Sequence, residues 1–440
     1  MKTIPELDDK GLRQSLWAAT AEPAPDCPPL VEDIKTDVLI VGGGFAGLSA
    51  ALHLAEKGTD VTVLEAVEPG WGASGRNGGQ VISGLKDDLS GLDKQFSPEQ
   101  IDRMKIFAGT TADMPFDLIE RHGISCDAVR AGWIQGAHGP AAADQMRLKA
   151  ERLASNGGDV AYLGAEDVAR LTGSTWYHGA FLDKRGGTLQ PLSYARGLAR
   201  AAMTAGAKIY GNSLVSSLVR EEGYWCAKTE AGSVCRAGKV LLCTNGYSDL
   251  ADLVPEITRS VVPFYSYQLA TEPLSDNLRK SILPEGHGAS ETRRVLSYFR
   301  LDAEGRFLMG ARGAIDGSLR DNAFDLARER MAQLFPLLKD EPLSYFWNGR
   351  VAITTDHLPR LFEPAPGLHA ALGWNGRGVA MTSAMGPVLA DWLTGKSGKD
   401  LPIPVTTVRP ILFHGLRLVA AQAIVGWKNF QDNWERKGTP

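Results

Sequence analysis

Gly42, Gly44 and Gly47 form a Gly-x-Gly-x-x-Gly pattern directly after the apolar run Val38-Leu39-Ile40-Val41, and Glu65 closes the next β-branched run. Each residue type has a task. Gly42 permits a tight turn, Gly44 lets a phosphate reach backbone N–H groups, and Gly47 lets a helix lie close on the strand, while the helix N-terminus supplies partial positive charge. Glu65 offers a carboxylate to ribose hydroxyls, so the set points to a dinucleotide site rather than to a glycine turn kept for packing alone. A second glycine-rich stretch follows at once. Within Gly70 to Gln80, the residues Gly72, Ala73, Ser74, Arg76, Asn77, Gly78, Gly79 and Gln80 offer amides, a hydroxyl and a guanidinium to the same ligand, the plain alternative being a surface loop. A third, Gly373-Trp374-Asn375-Gly376-Arg377-Gly378-Val379, opens a helix bearing Met381, Met385, Val388, Leu389 and Trp392. Such a helix start suits an anionic group; its plain alternative is a capped core helix.

These residues need a strand, a turn and a helix to hold them. Val38 to Ala55 is 18 residues without a charged side chain, long enough on hydropathy for a membrane span. Glycines at 42, 43, 44 and 47 divide it instead into a short strand and a helix, Leu48 to Lys57, and Asp60 to Glu65 completes a β-α-β unit. Residues 99–122, 140–156 and 192–205 read as helices. Lys208 to Val219, Tyr224 to Ala227 and Lys239 to Cys243 read as strands, as do Val261 to Thr271, Val295 to Arg300 and Phe307 to Ala311. The order predicts an α/β fold: a Rossmann-type domain (34–80, 190–260 and 346–400) interleaved with a mixed-sheet α+β substrate domain (81–189 and 261–345). A lead-in (1–33) precedes them and a C-terminal segment (401–440) follows.

Composition narrows the function classes. With 47 basic and 51 acidic side chains the net charge is -4, which gives no global drive toward nucleic acid. A hydrophobic share of 44% excludes a disordered chain. Cys27, Cys126, Cys226, Cys235 and Cys243 show no metal-ligand spacing, so no metal site is expected. Cys226 and Cys235 flank a hairpin turn, where a cross-strand bridge is one option and free thiols in a reducing cytoplasm are favoured. Met1 to Lys10 has no apolar run behind it, so no secretory signal and a cytoplasmic location are expected. Arg409 to Pro440 carries a net +3 around the apolar Leu418 to Trp427, which is too short to span a bilayer. Packing across the lobes is favoured there over peripheral contact with a membrane surface.

With these motifs in place, the chain resembles the FAD-dependent amine and amino-acid oxidoreductases of the D-amino-acid oxidase, sarcosine oxidase and glycine oxidase group. Ser15 to Thr20, Ala73 to Gln80 and Gly376 to Ala380 are similar to the gamma-glutamylputrescine oxidase branch. The resemblance implies FAD, held by the three glycine segments together with Phe45, Ala46, Ala66, Val215, Thr244, Asn245 and Gly246. Relatives with a covalent flavin carry a histidine or cysteine that neither 71–80 nor 372–380 contains, so the FAD is expected to be non-covalent. The implied reaction oxidises the C–N bond of a small amine or amino acid, gamma-glutamylputrescine-like or another primary or secondary amine. Hydride passes to flavin N5, the imine is hydrolysed, and O2 yields H2O2. Two alternatives stay open. One is a flavin dehydrogenase of an N-substituted or cyclic amino acid that passes electrons to a quinone or carrier, since the lysine of sarcosine oxidases has no clear counterpart. The other is a non-catalytic flavin-binding partner protein. Tyr265, Tyr267, Tyr298, Arg300, Arg312, Arg350 and His357 are the polar candidates for substrate. Of these Tyr298, Arg300, Arg350 and His357 are expected at the reacting centre, with Arg300 facing the flavin ring; the plain reading of any such arginine is a surface ion pair.

Overall fold

The computed structural model describes residues 12–87, 91–312 and 323–436. Met1 to Lys10, on which the expectation about a secretory signal falls, lies outside the described residues, as does the side chain of Arg312. Two eight-stranded sheets carry the chain. Across the first, the strands run Arg360–Ala365, Leu368–Leu372, Val234–Leu242, Ile34–Val41, Val61–Leu64 and Lys208–Tyr210, and the meander Val215–Glu221, Tyr224–Thr229 attaches to Val234–Leu242. Ile34–Val41 pairs in parallel on both sides, and its end from Val38 is buried, hence the unbroken apolar run in the sequence. The helix Phe45–Glu56 is buried from Phe45 to Ala55 because it is the middle layer, with the sheet on one side and the helix Gly378–Leu393 on the other. The two helices meet closely. Ser49 Oγ donates to Ser383 O at 2.9 Å, and a Cβ on Gly386 would collide with that hydroxyl.

Across the second sheet the order is Leu343–Ile353, Val262–Pro273, Arg306–Arg312, Ser297–Leu301, Gly288–Glu291, Trp133–Gly136, Gly179–Asp183 and Val160–Gly164. The strand Ser297–Leu301 is antiparallel to Arg306–Arg312. Leu343–Ile353 pairs along its length with Val262–Pro273, so residues 346–353, read from sequence as part of the nucleotide-binding domain, belong to this sheet. Residues 99–122 form two helices, Pro98–Thr110 and Asp113–His122. Between them Thr111, fully buried, accepts from the Gly84 N–H at 2.9 Å. The stretch 208–219 likewise divides into Lys208–Tyr210 and Val215–Glu221. In the hairpin, Cys226 lies opposite Arg236 and Cys235 opposite Ala227; the one-residue offset points the thiols to opposite faces, and both are free.

Both chain ends of the described structure fasten onto this frame. In the lead-in, Trp17 is buried and its indole donates to Asn77 O at 2.8 Å, bracing the second glycine loop. The last helix, Arg417–Arg436, buries Asp432 against the second sheet and exposes Ile424, Trp427, Phe430 and Trp434. Of its apolar run, the side chains of 418–422 and of 425 lie outside the described residues. No helix among the described residues is long and apolar enough to cross a membrane.

Candidate active site

Between the sheets lies a cavity of about 400 Å³, within the ~300–1,000 Å³ usual for small-ligand sites. One end is the turn after Ile34–Val41. Gly42 adopts φ +109°, and a Cβ there would stand 3.0 Å from Cys243 O, so both the conformation and the space require glycine. Ser74 reaches over from the second loop: its hydroxyl accepts from the Phe45 N–H at 2.9 Å, and a Cβ on Gly44 would stand 2.8 Å from it. Glu65 accepts from the N–H groups of Gly43 at 2.6 Å and Val67 at 3.1 Å. Burial pushes its carboxyl up, and those two donors pull it back. Ala46, Ala66, Val215, Thr244 and Gly246 complete this end.

The second loop is a braced wall. Asn77 donates to Ala73 O at 3.1 Å and Ser74 O at 2.7 Å, and accepts from the Gly79 N–H at 2.8 Å. Arg76 is buried, with Nε on Trp71 O at 2.8 Å and its guanidinium 4.8 Å over the Trp71 ring. Gln80 donates to Ala289 O and Phe299 O, both at 3.0 Å, which ties the loop to the second sheet. Gly72, Ala73 and Gly78 line the same wall. In the third segment Asn375, at φ +52°, accepts from the Thr354 N–H at 2.9 Å, and Asn245 accepts from the Gly373 N–H at 2.9 Å. Gly376, Arg377, Gly378 and Val379 face the cavity. A Cβ on Gly376 or Gly378 would meet nothing within 4 Å. As at any helix start, the first N–H groups of Gly378–Leu393 have no acceptor within the helix. Arg377 is deeply placed, 5.2 Å from the Trp133 ring; burial pushes it down to about 10, and its Nε has no hydrogen bond among the described residues.

Residues 37–392 match the FAD dependent oxidoreductase family. The chain belongs to this family. It is 32% identical over 377 residues to "Probable oxidoreductase OrdL" of Haemophilus influenzae, covering 84% of this chain and 85% of that protein. To the gamma-glutamylputrescine oxidoreductase of Escherichia coli it is 31% identical over 385 residues, 87% of this chain and 89% of that one. The fold is that of glycine oxidase from Geobacillus kaustophilus, at TM-score 0.70 and 22% identity over 85% of this chain and 99% of that one. The protein is therefore an FAD-dependent oxidoreductase.

The residues present fit FAD. The Gly42–Gly47 turn and the Glu65 carboxylate suit its adenosine and pyrophosphate, and the open space over Gly376 and Gly378 with the unbonded Arg377 Nε suits a polar ring. Six cationic side chains (Arg76, Lys86, Arg294, Arg350, Arg377, Lys428) line the cavity with one carboxylate, Glu65, in the same lining; Arg294 and Arg350 are paired with carboxylates outside it, and the rest leave a positive surplus suited to an anionic ligand. Gly47, Gly79 and Gly373 lie behind this wall. A Cβ on Gly47 would collide with Gly42 O, one on Gly79 with Leu189 O, and Gly373 turns at φ +78° against Thr354.

Among the polar candidates Arg300 must be reassigned. It is buried, donates through Nη1 to Leu189 O at 2.6 Å and Gly79 O at 3.1 Å, and stacks 5.5 Å from the Trp17 ring, so it supports the second loop from behind and does not line the cavity. Tyr298 does line it. Its hydroxyl is 3.0 Å from Ser266 Oγ, and burial pushes it up to about 12. Arg350 is there too, held by Asp249 at 2.6 Å and by the Tyr265 hydroxyl at 3.0 Å. His357 lines the mouth at φ +56°, with Nδ1 2.6 Å from Asp87, whose carboxyl it holds below the usual range. Tyr265 and Tyr267 do not line the cavity: on their strand the alternate residues Phe264, Ser266 and Gln268 do, and Tyr267 stacks on Phe346. Reading the sequence alone also missed Lys86, Arg294 and Lys428. The alternation along 262–273 puts Tyr265 and Tyr267 on one face but does not say which face lines the cavity, and nothing local marks the three cations.

Proposed function

We propose that this protein oxidises a carbon–nitrogen bond of an amine like gamma-glutamylputrescine, or of another primary or secondary amine, with non-covalent FAD and O2. The observation that carries this is the convergence of three glycine segments, two close in sequence and the third starting only at Gly373, on one cavity that continues into a basic, aromatic compartment under the second sheet. The similarity to gamma-glutamylputrescine oxidoreductase supports the substrate class. When bound, FAD supplies a two-electron acceptor for the hydride that leaves the substrate carbon. The side chains do the rest. The surplus of cations disfavours an ammonium, so the substrate binds as the free amine, whose lone pair is needed as the imine forms. Tyr298, protonated at neutral pH and shared with Ser266, is the neutral hydrogen-bonding group at the reacting centre. Arg350, fixed between Tyr265 and Asp249, is an oriented positive charge beside it. Once the substrate has lost hydride and the amine proton, water hydrolyses the imine to a carbonyl compound and ammonia, or an amine where the substrate is secondary.

Flavin attachment rests on the side chains near the cavity as well. Cys243 lines it, but burial pushes that thiol up to about 12, far from a reactive thiolate. The deciding experiment is anaerobic titration of the yellow protein with an amine and amino-acid panel, followed by re-oxidation with O2 or with a quinone. Bleaching by an amine and fast return of colour with O2 is the expected result. Return with quinone alone would make the protein a dehydrogenase, and no bleaching by any amine would sink the proposal.

A further inference from the structure

The family match ends at residue 392, yet the chain returns to the cavity afterwards. Its last helix, Arg417–Arg436, is fastened by acids near its end. Asp432, 1% exposed, accepts from Arg294 Nη1 at 2.9 Å and from the N–H groups of Arg294 and Val295, both at 3.2 Å. Glu435 accepts from both terminal nitrogens of Arg294, at 2.9 and 2.8 Å. Lys428 stands four positions before Asp432 and seven before Glu435, on the same helix face. That face looks inward, and Lys428 is half-buried in the cavity lining beside Arg294.

The two neighbouring cations differ in what neutralises them. Arg294 is matched by two carboxylates. Lys428 has no hydrogen bond or ion pair among the described residues. A half-buried ammonium with no carboxylate beside it is left free to receive an incoming anion, and the pyrophosphate of FAD already has its own turn and helix start at the other glycine segment. We propose that Lys428 is a specificity-determining residue whose ammonium receives a carboxylate carried by the substrate, remote from the reacting C–N bond. The inference rests on the amine reading above and narrows it to amines with an anionic tail.

The test uses the full-length, FAD-loaded protein, its Lys428→Gln variant and its Lys428→Arg variant. Hexanoate, which carries the anion without the amine, serves as the binding probe, followed by the flavin absorbance change and by thermal stabilisation. Turnover of 6-aminohexanoate against hexylamine gives the selectivity. Lys428→Gln should weaken hexanoate at least about tenfold and lower the kcat/KM ratio of 6-aminohexanoate over hexylamine by a similar factor, with Lys428→Arg restoring most of both. Unchanged hexanoate binding in Lys428→Gln, or an unchanged ratio, would overturn the inference. Hexanoate binding that depends on Lys428 while neither amine bleaches the flavin would keep the carboxylate site and remove the amine reaction instead.

Discussion

Arg300 and Lys149 show how one cationic side chain takes its role from its surroundings. Arg300 spends its donors on the carbonyls of Gly79, Leu189 and Leu301, in a place with almost no solvent. Arg300→Ala would leave those buried acceptors unmatched, which costs about 1–3 kcal/mol. Urea unfolding should record that loss, and Arg300→Lys should not restore it, because an ammonium cannot span carbonyls matched to a planar fork. Lys149 lies 4.1 Å from the Phe181 ring and donates to Gln135 at 3.0 Å. Burial first, then the nearby Arg377, pushes it down to about 7. Since the folded form binds that proton less readily than the unfolded chain, Lys149 weakens the fold progressively as pH falls from about 10.4, the ordinary lysine value, toward 7, and by a constant amount below. Lys149→Met is therefore expected to raise Tm most at pH 6 and little near pH 10, in scans of both proteins across that range. An equal gain at both pH values would mean that packing, not charge, governs the site.

At the scale of elements, the strand, turn and helix from Ile34 to Glu56 were legible because their signal is local: a β-branched run, glycines at fixed offsets and an acid on the next strand. The second loop and the third segment were legible for the same reason. What could not be read was which face of a strand looks inward when both faces are covered to a similar degree, as with Phe264, Ser266 and Gln268 against Tyr265 and Tyr267. Arg300 misled because a buried arginine on carbonyls and one facing a ligand have the same sequence. The Gly44 turn carries its own test. Valine there would press on the Ser74 hydroxyl that holds the Phe45 N–H, closing the approach for a phosphate. Gly44→Val should weaken FAD by at least about 1.4 kcal/mol, a factor of ten, read from flavin retained after dialysis; full occupancy would move the phosphate site elsewhere.

At the scale of the whole molecule, the last helix and the β-sheet loop at Arg294 form a latch beside the cavity, with Asp432 fully enclosed and Arg294 its main partner. Removing the arginine leaves an enclosed carboxylate short of its charge partner, so Arg294→Met should loosen the helix rather than the sheets. Limited proteolysis should cut the variant between 401 and 436 several times faster than the parent. Resistance equal to the parent's would show that the helix is held by other contacts.

The interleaving of the two sheets has a consequence for synthesis. The strand Ile34–Val41 needs Val234–Leu242 as a neighbour, that strand needs Leu368–Leu372, and the Phe45 helix needs Gly378–Leu393 as its cover. A ribosome therefore releases the nucleotide turn hundreds of residues before the chain that completes it, and loop closure of that span must precede any tight grip on FAD. Until then the apolar stretch from 38 to 55 is exposed to the cell's chaperones, and nascent chains stalled short of residue 393 should emerge colourless.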